Sequence, residues 1–138
     1  MNKIIIRDIS MVLVPWLWLG LIIGISFIAT PVKFQAQNLE LGVALDIGRH
    51  TFSLFNRIEW VLLTVMFLLC LVKPVLKIQL LATALLGVIL LIQTYWLLPE
   101  LIVRAEAVIS GRPKPASSHH NIYAVLEALK FLILLFLS

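Results

Sequence analysis

Charge is what this chain has least of: Asp, Glu, Lys and Arg together make up 13% of its 138 residues, about half the share found in ordinary water-soluble domains. With 62% hydrophobic residues and a mean hydropathy of +1.07, a water-soluble core could not hide the apolar surface. Cysteine is nearly absent as well. The single residue, Cys70, allows neither an intramolecular disulfide nor a cysteine metal cluster, and its place inside an apolar run reads as a small buried or lipid-facing residue. The motifs of catalysis are also missing: there is no Gly-rich phosphate loop, no HExxH, no nucleophile elbow and no recognisable acid–base pair. No catalytic residue, metal or cofactor is therefore expected, and the chain reads as non-enzymatic.

What is there is apolar sequence in long runs. A bilayer crossing takes about 20 helical residues, and four segments approach or meet that length: Met11 to Thr30, Ile58 to Val72, Ile78 to Leu98 and Asn121 to Ser138. The fold class predicted is an all-α membrane protein, a single four-helix transmembrane domain over 1–138. Polar connections at 31–57 and 99–120 complete it. The net charge of +4 and pI near 9.6 do not indicate nucleic acid, because Lys and Arg lie between the hydrophobic runs instead of clustering on one face. Their partner is the lipid bilayer.

The first span follows a short basic stretch with Lys3 and Arg7, which resembles the start of a signal peptide, and Gly24 with Ser26 would supply a small-x-small cleavage site. The apolar run exceeds the roughly 7–15 residues of a signal-peptide core, so a retained helix is expected. Trp16 and Trp18 fit an interfacial aromatic belt, and Pro15 fits a first helical turn, where backbone N–H groups lack partners. Gly20 and Gly24 form GLIIG, a small-xxx-small spacing that lets another helix approach closely.

Residues 31–57 are too polar to cross a membrane, carrying Lys33, Glu40, Asp46, Arg49, His50 and Arg57. Leu39, Val43, Ile47 and Leu54 approximate helical spacing, so one or two amphipathic helices on the membrane surface or over the bundle mouth are expected. Lys73, Pro74 and Lys77 set a tight turn that makes spans two and three an antiparallel hairpin. Tyr95 and Trp96 mark the far interface of span three, and Pro99 marks where regular helix should bend or stop. The run SGRPKPASS breaks the chain before the last span.

Counting Lys and Arg alone puts the N-terminus outside, with Lys3, Arg7, Lys73 and Lys77 on one side against Lys33, Arg49, Arg57, Arg104, Arg112 and Lys114 on the other. The longer connections also carry acids, however, and the short basic hairpin is the more dependable cytoplasmic signal. Both termini are expected inside, with the protein in the plasma (inner) membrane.

Among candidate binding residues, Glu127 and Lys130 stand out as charges within the last span, three residues apart on one helix face. They are expected to pair with each other or to meet an Arg and Gln93 from neighbouring helices. No second charged span is expected to extend them into a relay. His119 and His120 are adjacent and diverge by about 100° on a helix, so they do not form a helical metal pair; His50 could join them only by folding. Arg49 and His50, with Arg57 and Glu59, read as interfacial anchors, or alternatively as a site for an anionic group.

The stretch WLWLGLIIGISFIATPVKFQAQ followed by ALDIGRHTFSLFNRIEW resembles the opening half of the transmembrane protein 205 family, whose bacterial relatives form the domain of unknown function numbered 4149. The matching positions are Ala29, Pro31, Phe34, Gly48, Phe52 and Phe55. In the second half, YWLLPELIVRAEAV resembles that family's aromatic-then-Pro end of helix three. SSHHNIYAVLEALKFLILL resembles its His-led final helix, with His119 or His120 in the His position. Glu127 and Lys130 depart from the largely apolar final helix that the resemblance implies. What it implies is a four-span architecture without a stated chemistry. Two function classes follow: an assembly component docking by its GLIIG face onto a second copy or a larger membrane complex, or an oligomeric small transporter or channel using Glu127.

Overall fold

The structure is a computed structural model that describes residues 2–138. Four helices, α1 (Lys3–Gln35), α2 (Leu41–Leu71), α3 (Lys77–Ile109) and α4 (His119–Leu137), are each long and apolar enough to cross a membrane, and among the described residues there is no strand. This is the all-α, multi-pass architecture expected. At 1.5 Å per residue, α1 to α3 reach about 46–50 Å, well beyond a hydrocarbon core of about 30 Å. The charged parts of α2 and α3, residues 41–57 and 100–109, extend furthest at the end where α4 begins, and that end is the one suited to project from a bilayer.

That projection corrects the sequence-based boundaries. The segment 31–57 is no separate surface helix, because from Leu41 onward it is the first half of α2. Its buried face, including Ala44, Gly48, Phe55 and Asn56, packs inward, and its Arg49 is held by Asp46 and by Glu106 of α3 at 2.7 Å each. The connection shrinks to residues 36–40. Likewise the connection 99–120 shrinks to 110–118, since α3 continues through Pro99 to Ile109. It stops in a Schellman turn: Gly111 takes φ 77°, its N–H donates to the Val108 carbonyl, and the Arg112 N–H donates to the Ala107 carbonyl.

Three prolines sit inside these long helices without ending them, two of them just after a change in helical register. Pro31 follows a π-helical stretch, Ile23–Ala29, and Pro99 follows another, Gln93–Leu97. The wider π turn shifts the hydrogen-bond register just before a residue that has no N–H to offer. Thr30 Oγ1 donates to the Ile25 carbonyl and Thr94 Oγ1 to the Leu90 carbonyl, satisfying acceptors near the two stretches. Pro15 is not in a first turn: Asn2 caps α1 by accepting from the Ile4 N–H, so Pro15 lies buried mid-helix.

Each helix packs against its two neighbours in the ring α1, α2, α3, α4, so α1 faces α3 and α2 faces α4 across the bundle axis. Trp18, Leu19, Ile22, Leu62, Met66, Leu86, Leu90 and Leu134 fill the interior toward the α2–α3 hairpin. Large apolar side chains also cover the outside, among them Leu13, Leu17, Val61, Leu68, Leu81 and Leu132. Lipid tails are the environment such a surface requires. The tight turn at Lys73, Pro74 and Lys77 is present, and the buried guanidinium of Arg7 donates to the Val72 and Pro74 carbonyls at 3.0 and 2.9 Å. This clamps the N-terminal end of α1 to the hairpin.

Candidate functional site

Among the described residues, the charged side chains buried between the helices are Arg7 at the hairpin end and one cluster near mid-bundle. There Lys130 of α4 lies with its ammonium 2.5 Å from Glu127 Oε1 on the same helix and 2.5 Å from Glu59 Oε2, contributed by α2 from across the bundle. All three side chains are shut off from the exterior. Trp18 Nε1 donates to Glu59 Oε2 at 2.8 Å, Ser26 Oγ to Glu127 Oε2 at 2.8 Å, and Gln93 Nε2 to Glu127 Oε1 at 3.0 Å. The ring of Phe55 lies 5.8 Å from the Lys130 ammonium. Every helix supplies a member.

The expected pairing of Glu127 with Lys130, with Gln93 as a neighbouring-helix partner, is what the structure contains. The accompanying Arg is not, and the expectation of no second charged span is overturned by Glu59. That residue is no interfacial anchor, because α2 extends so far toward its N-terminus that Glu59 falls mid-helix. Trp18 is likewise no belt residue: it is fully buried with its indole N–H on Glu59, whereas Trp16 is exposed. Ser26 and Gln93, the two neutral partners of Glu127, both sit in the π-helical stretches. Short π segments gather at functional sites because they reorient side chains without ending the helix.

The charges do not cancel. Two carboxyls face one ammonium, leaving one negative charge in excess if all are ionised, and Glu59 Oε1 is buried without a hydrogen-bond partner. In a low-dielectric interior an uncompensated charge is costly, and a carboxyl avoids that cost by binding a proton.

One to two helical turns toward the projecting end, a cavity of about 150 Å³ opens between all four helices. Its apolar wall includes Phe34, Phe52, Leu98 and Leu101, and its polar groups come from Lys33, Arg49, His120 and Tyr123. Of the sequence candidates, Arg49 and His120 therefore meet here. His50 turns out to solvent beside Asp46, and His119 packs edge-on against Trp96, with Nδ1 2.9 Å from Ser117 Oγ. Among the described residues no three His, Cys, Asp or Glu side chains are grouped to hold a metal ion. Gly20 and Gly24 have open space where a Cβ would stand, so no helix of this chain uses the GLIIG face.

A bundle of membrane-length helices closed around a carboxylate–ammonium–carboxylate cluster defines a multi-pass membrane protein with a polar centre. Comparison with protein-family models, curated proteins and solved structures finds no match to the chain.

Proposed function

We propose that this chain is a small, non-enzymatic membrane carrier in the plasma (inner) membrane, whose Glu59–Lys130–Glu127 cluster binds and releases one proton. The observation that carries the reading is the surplus carboxyl: a buried group of two acids and one base is neutral only when it holds a proton. Its surroundings support the same reading. The cavity lies on one side of the cluster, Tyr123 stands between them one helical turn from Glu127, and on the other side the apolar interior separates the cluster from the hairpin end. A site approached from one face and closed from the other is what alternating access requires. The resemblance to the transmembrane protein 205 family belongs to the same proposal, since it implies four spans.

The test is the current evoked by a pH jump across proteoliposomes adsorbed on a supported membrane. Wild-type protein is expected to give a transient charge movement that Glu59→Gln and Glu127→Gln each remove. Identical transients in wild type and both variants would reject the carrier reading.

The open face of Gly20 and Gly24 supports a second reading, association with another copy or a larger membrane complex. It is compatible with the first, because a carrier this small gains a longer path by oligomerising.

A further inference from the structure

The cavity at the projecting end is bordered by an ammonium that no acid among the described residues pairs, and a buried hydroxyl without a partner lies behind its wall. Lys33 extends its ammonium toward Gly48, where it lies 2.8 Å from the position a Cβ would take, so a side chain there would push the flexible end of Lys33 aside. Among the described residues no carboxylate or carbonyl accepts from this ammonium, whose one aromatic neighbour is Phe34 at 5.1 Å from the ring centroid. Opposite, on α4, Tyr123 is 5% exposed, braced edge-on by Phe52 at 5.7 Å, and its hydroxyl has no hydrogen-bond partner. Arg49 is already neutralised by Asp46 and Glu106, and no acid lines the cavity. An ammonium without an acid partner, set beside an apolar wall, is complementary to an anion with a hydrocarbon body. A space of about 150 Å³ is that of a cavity known to hold one benzene ring.

We infer that this cavity binds a small organic carboxylate, its charged group on the Lys33 ammonium and its apolar body, a single ring or a short acyl chain, against Phe52 and Leu98. The inference deepens the carrier reading and rests on it for the site's role: the carboxylate is the species whose movement the proton accompanies. The same chemistry can arrive as a free acid from water or as the carboxyl end of a longer fatty acid from the bilayer.

Occupancy is tested on the full chain in detergent by thermal unfolding and calorimetric titration with benzoate and hexanoate, their uncharged amides, and oleate supplied in micelles. Benzoate or hexanoate is expected to raise the melting temperature where the amides do not; a response to oleate alone supports the site with a lipid source. Lys33→Gln is expected to weaken binding at least about ten-fold, the loss of one charge-assisted hydrogen bond, Gly48→Val to weaken it less by displacing the ammonium, and Lys33→Arg to retain most of it. Tyr123→Phe is expected to weaken it less. Equal responses to acid and amide, no response to any acid, or undiminished binding in a folded Lys33→Gln variant would overturn the site. Binding of acid by a protein that shows no pH-jump current would leave this site standing while the carrier reading fails, and the reverse result would do the opposite.

Discussion

Glu127 and Lys130 were legible as an inward-facing pair because charges inside an apolar run have few places to go. Glu59 was not, since it stands between Arg57 and Trp60, where a polar segment gives way to an apolar one and an anchor at the interface reads just as well. The available signal lay in spacing: Phe55, Glu59, Leu62, Leu63, Met66 and Cys70 share one helix face, and the structure buries all of them. The three charges also differ in what their loss should do. Lys130→Met leaves two buried carboxyls with no base, so that folding requires both to bind protons, and is expected to lower stability more than the loss of either acid, and increasingly as pH rises, in reversible detergent-denaturation experiments. Glu59→Gln leaves one acid opposite one base, with a neutral amide in the place of the second acid, and is expected to lower it by less than about 1.5 kcal/mol. Equal losses from both would mean that the cluster is a fully ionised structural triad.

At the scale of elements, the number of helices followed from composition while their lengths did not. A window tuned to apolar runs ends a helix where charges begin, yet α2 and α3 continue past the membrane packed along each other, with Ala44, Gly48 and Phe55 turned inward and Arg49 of one on Glu106 of the other. Pro99 marks a bend or a stop in the sequence because a proline interrupts regular α-helical bonding; the π-helical stretch ahead of it changes that bonding, the helix goes on, and this compensation leaves no mark in the periodicity. Double substitution of Arg49 and Glu106 by Ala is expected to raise amide exchange selectively at residues 41–50 and 100–109, leaving the membrane-embedded halves protected. The GLIIG face gives a second test. With open space at Gly24, Gly24→Leu is expected to leave the melting temperature of the monomer within about 2 °C, since surface changes fall within ±0.5 kcal/mol, while abolishing any oligomer seen on native gels. A large fall in monomer stability would mean that another helix of the chain packs there.

For the whole molecule, the low charge and high hydropathy dictated a membrane bundle, but the site depended on facts that no single helix carries. The ring order of the helices places α2 opposite α4, so Glu59 reaches Lys130 across the bundle axis. Topology follows from the same arrangement, with both termini and the 72–76 turn at one end and the connections 36–40 and 110–118 at the other. In a Cys70→Ala background, a cysteine at Ser117 is expected to react with an impermeant thiol reagent in intact cells, and one at Pro74 only after permeabilisation. Labelling at position 74 alone would invert the orientation and turn the cavity toward the cytoplasm.

The proton on the central cluster can be observed directly in the infrared carboxyl region of the purified protein in lipid at neutral pH. Wild type is expected to show the C=O stretch of one protonated buried carboxyl, Glu59→Gln and Glu127→Gln each to lose it, and Lys130→Met to show it strengthened, because two acids without a base both take up protons. A wild-type spectrum with no protonated carboxyl band, unchanged in both glutamine variants, would contradict the proton-binding centre on which the carrier reading stands.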